Sequence, residues 1–208
     1  MKSTPHCEER KKGERGNELI EFVFVIIVLV PLMMYMVILG VDLARFVEVT
    51  QVASDAGSMY SRGVDFSQSG NQQELARMGQ TLGMAVPGTG SGAVLLSKIT
   101  YIATNGCTQP CNAGDYVLVQ MNDVGDGGSS PFFPSHSFYT LAGTPSYDAQ
   151  GNVLNYMTDS NAVVNGVSTV LNLNAGEYAY VSEAYFPSTM VDFPGFASSP
   201  GNYSRTIY

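Results

Sequence analysis

Hydrophobic positions follow three different rhythms along this chain. From Phe22 to Val41, twenty consecutive residues carry no charge and no strongly polar side chain. At about 1.5 Å per residue, a helix of that length spans about 30 Å, the thickness of a bilayer's hydrocarbon core. From Asp42 to about Val64 the rhythm becomes helical and one-sided. Val49, Val52, Ala53, Ala56, Met59, Tyr60 and Gly63 recur at three- and four-residue steps, with Glu48, Gln51, Asp55, Ser58 and Arg62 on the opposite face. The stripe is rich in small residues, so this half of the helix can lie close against a sheet or another helix. Pro31 falls inside the apolar run, where a membrane helix tolerates it with a kink or a locally unwound segment. Met33, Met34 and Met36 supply flexible apolar packing there.

After a polar break at Ser67–Asn71, Gln72–Ala85 reads as a shorter helix with Leu75, Met78, Leu82 and Ala85 on one side. Pro87-Gly-Thr-Gly-Ser-Gly92 ends it. This loop lacks the Lys-Ser/Thr and the preceding strand of a phosphate cradle, so it reads as a turn. Beyond Gly92 the rhythm is that of strands. Val94–Ala103 and Tyr116–Met121 are rich in Val, Ile, Leu and Tyr, and Glu177–Phe186 alternates as a final strand ending at Pro187. Asn122–Gly176 is dense in Gly, Ser, Asn and Pro. Asp123–Gly128 and Asp148–Asn152 read there as turns, the latter between two short strands, while Val163–Leu173 fits a short strand and a short helix equally. The expected fold class is α+β: a long N-terminal helix packed on a small, mostly antiparallel sheet.

Charge divides the chain. Its net charge is −8, yet Met1–Gly16 holds five basic and three acidic residues, leaving five basic and fifteen acidic residues after it. Basic residues precede the apolar run and Asp42 is the first charge beyond it, which places the N-terminal stub in the cytoplasm and the large C-terminal part outside. So acidic an exterior argues against nucleic-acid binding. The stub is not a standard secretory signal: it is sixteen residues long and mostly polar, and no small-residue cleavage pattern comes after the apolar stretch. Cys7 reads as an unremarkable residue of that stub.

Glu21 stands at the edge of the apolar run, where a lone carboxylate costs about 2.5 kcal/mol or more if it goes deep. A cut after Gly16 would give Asn17 a free α-amine, largely positive at neutral pH. Glu21 would then be the fifth residue, placed to neutralise the amine of its own or a neighbouring subunit. A basic leader ending in Gly16, a glutamate at the fifth position after it and an apolar helix resemble a type IV prepilin signal. The pair Glu21-Phe22 and the early Pro31 are more similar to the tight-adherence (Tad) branch, in particular its TadE-like minor pseudopilins. The resemblance covers Arg10 to Phe66, and faintly the strand-then-proline ending Ser188–Phe196. Glu18, a second acidic residue beside the cut, departs from it. An uncleaved signal anchor is the alternative.

The resemblance implies a cleaved leader (1–16), a transmembrane and filament-core helix (17–41) and an extracytoplasmic pilin-like α+β domain (42–208). It implies cleavage between Gly16 and Asn17 by a prepilin peptidase, with Glu21 and Phe22 in assembly. The implied partners are other pilin subunits and an assembly platform in the inner membrane, driven by a cytoplasmic ATPase. The chain would be a single-pass inner-membrane protein before assembly and part of an extracellular adhesive pilus after it. Because 167 residues lie beyond Val41, a minor or tip subunit fits better than a major pilin that is little more than helix. A large filament-forming pilin and a membrane-anchored binding module or adhesin are the other readings.

Cys107 and Cys111 are the two cysteines beyond the leader, and in an oxidising compartment a disulfide is their natural state. Metal binding would need further soft ligands where only His136 is on offer, and a redox pair usually has a two-residue spacing at a helix start. Clustered aspartates can ligate calcium, but these do not have the spacing of a twelve-residue calcium loop. Sixteen of the twenty-two Phe and Tyr residues lie at or beyond Tyr101, as core of a sheet or as an exposed binding face. No Gly-x-Ser-x-Gly elbow and no His-Glu-x-x-His is present, and Lys98 is the one lysine after the leader. The expectation is a structural protein with no cofactor and no catalytic site.

Overall fold

The structure is a computed structural model that describes residues 11–85, 90–105, 107, 111–125, 137–187 and 201–208, with side chains from Glu18 onward. In chain order its elements are helix α1 (Lys11–Ser61), helix α2 (Ser69–Met78), strands β1 (Ala93–Tyr101), β2 (Tyr116–Gly125), β3 (Thr140–Leu141), β4 (Val164–Asn165), β5 (Tyr178–Pro187) and β6 (Gly201–Ile207), with three short 3-10 turns. The chain divides into two compact units, Met1–Ala44 and Arg45–Tyr208.

In the first unit the apolar stretch of α1 is helical throughout and the helix continues through Pro31, so local unwinding at the proline is not seen. A proline removes one N–H donor, and an otherwise strongly helical run of Val, Leu, Ile and Met absorbs that loss.

The second unit is built on a four-stranded sheet in the order β2-β1-β5-β6, antiparallel at every pairing. With a helix and an antiparallel sheet in one chain, the fold class is α+β. Side chains alternate across the sheet, so each strand serves two cores. On one face Val94, Leu96, Val124, Ala184 and Phe186 meet Val49, Val52, Ala53, Ala56 and Tyr60 of α1, and Phe66, Leu75 and Leu82 close the edge. The small-residue stripe does what its pattern requires, bringing backbone close to sheet. Gly57 marks one close approach. A Cβ there would lie 2.7 Å from the Tyr208 ring and 3.1 Å from the Ser182 Cβ. On the other face Ile99, Leu118 and Val181 pack under Tyr139, Val153, Ala162, Val164 and Val167, which come from the long excursion between β2 and β5. A bulge at Lys98/Ile99 lets one strand do both jobs, because Gln120 pairs with Lys98 while Leu118 pairs with Ile99. One extra residue thus turns Gln120 toward α1 and Leu118 toward the opposite core.

Three expectations need correction. The second helix stops at Met78 rather than Ala85, and a 3-10 turn covers Gln80–Leu82. A Cβ on Gly79 would stand 2.8 Å from the Met84 sulfur, so the chain folds back on itself at that glycine. Asp123–Gly125 is not a turn but the end of β2. Glu177–Phe186 is not the final strand, since β6 pairs along β5 from Val181–Ile207 to Pro187–Gly201. As an edge strand with one wet side, Asn202-Tyr-Ser-Arg-Thr is too polar to stand out by composition. Val163–Leu173 is both things in sequence, strand β4 and then a 3-10 turn at Val167–Thr169. The turn at Asp148–Asn152 is present, flanked by the bridge Tyr147–Val153. The ending Ser188–Phe196, Cys7 and His136 lie outside the described residues.

Candidate functional site

Glu21 and Phe22 lie at the start of a helical span, Glu18–Ser61, that is long and apolar enough to cross a membrane by length and composition, with no residue of its most apolar stretch buried. Phe22 and Phe24 are 63% and 66% exposed. Left in water, such a surface costs about 25 cal/mol for every Å² uncovered, which makes the span compatible with a membrane. Among the described residues, Glu21 has no hydrogen bond and no ion pair. Gly16 and Asn17 lie in the same helix. Four residues separate Asn17 from Glu21, a rise of about 6 Å and close to one turn, which sets the two positions on one side of the helix.

Cys107 and Cys111 form a disulfide, with Cα atoms 6.3 Å apart. It closes part of the β1–β2 connection, which is held to the rest of the domain by a residue that composition does not single out. Asn112 is buried, donates from its backbone N–H to Met157, and donates from Nδ2 to the carbonyls of Tyr156 and Asp159 at 2.8 Å each.

Asp148 is occupied with turn chemistry. Its carboxylate accepts from Asn152 Nδ2 and from the backbone N–H groups of Asn152 and Gln150, which holds its pKa below the usual range. Among the described residues no three His, Cys, Asp or Glu side chains come together as a metal site.

Two polar sites went unread in the sequence. The first is Glu183, fully buried in the middle of β5. Its carboxylate accepts hydrogen bonds from Ser137 Oγ at 2.7 Å, from the Phe138 backbone N–H at 3.2 Å, and from the Tyr203 hydroxyl. Beside it, Ser97 and Tyr139 share a 2.6 Å hydrogen bond. Burial pushes the Glu183 carboxyl up, while the three donors and the charge of Arg205 partly offset that rise. The second is a cleft of about 290 Å³ where α1 ends over the sheet, with Lys98 and Tyr180 in its floor. The one hint of it in the sequence is that Lys98 is the single lysine beyond Lys12.

No family model matches the chain, and no curated protein or solved structure matches it either. Any assignment therefore rests on the residues themselves and on the geometry of these two units.

Proposed function

We propose that the chain is a structural subunit of a type IV, Tad-like pilus, a TadE-like minor pseudopilin. It is made with a leader that ends at Gly16, sits in the inner membrane through a single span, and is then assembled with other pilin subunits. The observation that carries this reading is Glu21: an unpartnered carboxylate, five residues after Gly16, at the entry of an apolar helix with no buried residue in its most apolar stretch. A carboxylate at that depth is costly alone and is stabilised by a cation, and the α-amine created by cleavage before Asn17 is the cation the sequence itself can supply. Glu21 then registers each incoming subunit, and Phe22–Val41 exchanges lipid for the helices of a filament core. The domain from residue 42 remains on the outside. Its role is structural, with no cofactor.

The test compares wild type with Glu21→Ala by membrane fractionation, N-terminal mapping and pilus shearing. Processing and insertion persist while incorporation into sheared pili fails. A mutant that is processed, inserted and present in pili at wild-type level rejects the role of Glu21, and a membrane-anchored binding module becomes the better account.

A further inference from the structure

The cleft at the end of α1 has three sides, each fixed by a different part of the chain. Its floor is one cross-strand row of the sheet, Gln120 on β2, Lys98 on β1 and Tyr180 on β5. One wall is the last turn of α1 and the segment just after it, with Tyr60 and Asp65. The other wall is the turn that carries Gln150 and Asn152, laid along the edge of β2 by backbone hydrogen bonds from Met121 to Gly151 and from Val153 to Val119. Side chains tie the sides together, as the Tyr60 hydroxyl donates to Gln120 Oε1 at 3.1 Å and Gln120 Nε2 donates to the Gln150 carbonyl at 3.0 Å. A cleft held in this way is formed before any ligand arrives.

Its chemistry is uneven. The Lys98 ammonium lies 4.2 Å from the centroid of the Tyr178 ring and 5.4 Å from that of Tyr180. Among the described residues no carboxylate pairs with it. Two ring faces hold the cation in place and leave its N–H donors open. Asp65, on the opposite wall, already accepts from the Ser67 backbone N–H, from Ser67 Oγ and from Gln68 Nε2. With about four lone-pair sites on a carboxylate, about one is left, enough to accept from a ligand hydroxyl. Among the described residues, the Gln150 side-chain amide and Asn152 Oδ1 make no hydrogen bond, so neutral donors and acceptors line the space between. The volume stands at the lower end of the range for small-molecule sites.

We propose that this cleft binds an acidic saccharide, one sugar ring whose carboxylate meets Lys98 and whose hydroxyls meet Asp65, Gln150 and Asn152. The site does not depend on how the N-terminal helix is used. It would give the domain a surface ligand whether the chain is a pilus subunit or an anchored module.

The test titrates the full chain, in a detergent without a sugar headgroup, with glucuronate, methyl glucoside and alanine. Glucuronate binds saturably with Kd at or below about 1 mM, and methyl glucoside and alanine bind at least about tenfold more weakly. Lys98→Gln weakens glucuronate by at least about tenfold. Gln150→Ala, at an exposed position, weakens it about threefold without a change in melting, which keeps the test alive should Lys98→Gln fail to fold. Absence of saturable glucuronate binding, equal binding of the neutral sugar, tighter binding of alanine, or an unchanged affinity in folded Lys98→Gln overturns the proposal.

Discussion

Tyr203 on β6 donates its hydroxyl hydrogen bond to the buried carboxylate of Glu183 on β5. Ser137 and Phe138 donate to the same group from the segment that leads into β3. One carboxylate thus joins the edge strand and the covering excursion to the middle of the sheet. An acid placed so deep is costly when charged and is tolerated through these donors. Its neighbours include Arg205, which packs over the Phe138 ring at 4.6 Å.

Because burial raises the Glu183 pKa, the folded state holds a proton more tightly than the unfolded chain does. The resulting stability is fully present below the ordinary glutamate value, about 4.3, and is lost as pH rises through the higher folded value. Urea denaturation should find this group contributing more at mildly acidic pH than at neutral pH. Glu183→Gln should flatten that trend. Tyr203→Phe removes a donor to the charged form, so it should move the window upward and cost about 1.5–3 kcal/mol at neutral pH.

The alkaline limb is set by tyrosines. Burial pushes Tyr147 up to about 12 and lifts Tyr60, Tyr139 and Tyr203 well above the ordinary phenol range. Raised values mean stability that is present below about pH 10 and lost above it, as the unfolded chain ionises first. A spectroscopic phenol titration should show these four groups ionising together with unfolding. Their ionisation in a chain that keeps its native circular dichroism would contradict the burial described here.

Gly57 tests the packing of α1 on the sheet. A side chain at this position must displace the Tyr208 ring and press on Ser182, while the Tyr208 hydroxyl donates to the Ser54 carbonyl at 2.8 Å. Gly57→Val should destabilise the domain by about 1–3 kcal/mol, the usual cost of overpacking, despite its exchange of glycine for a residue with less backbone freedom. Unchanged or higher stability would mean that α1 stands further from the sheet.

For Glu21, the free-energy argument separates insertion from assembly. Under the proposed function, twenty apolar residues suffice for insertion whatever stands at position 21, and Glu21→Ala lowers the cost of burying that turn. An uncompensated α-amine in an apolar core costs several kcal/mol, and about 1.4 kcal/mol is a factor of ten in an equilibrium. Incorporation into pili should therefore fall at least about tenfold. Mass spectrometry of wild type should find Asn17 as the first residue, and Gly16→Val should block that processing.

The Cys107–Cys111 bridge closes a loop with a sequence separation of only 4. Loop entropy then predicts at most about 2 kcal/mol from the bridge, with strain left aside. Peptide mapping without reductant should find it intact. Cys107→Ser with Cys111→Ser should lower stability slightly and leave the sheet in place, because Asn112 still anchors this connection to Tyr156 and Asp159.

The sequence by itself determined what is local and periodic. An uninterrupted apolar run defines a helix that water cannot cover, and a three-and-four rhythm from Val49 to Tyr60 defines which face of that helix is buried. Strands β1, β2 and β5 were legible because β-branched and aromatic residues cluster there, and the Cys107–Cys111 pairing came from there being no other cysteine after Cys7. Tertiary structure alone decided the rest, since it depends on residues far apart in sequence. The edge strand β6 becomes a strand only because β5 offers it a ladder. Glu183 looks like any alternating polar residue until Ser137, Phe138 and Tyr203 arrive from two other segments. Gln120, Lys98 and Tyr180 form one row only after a bulge sets the register between β1 and β2. A polar residue's role is fixed by its partners, and those partners are a property of the fold.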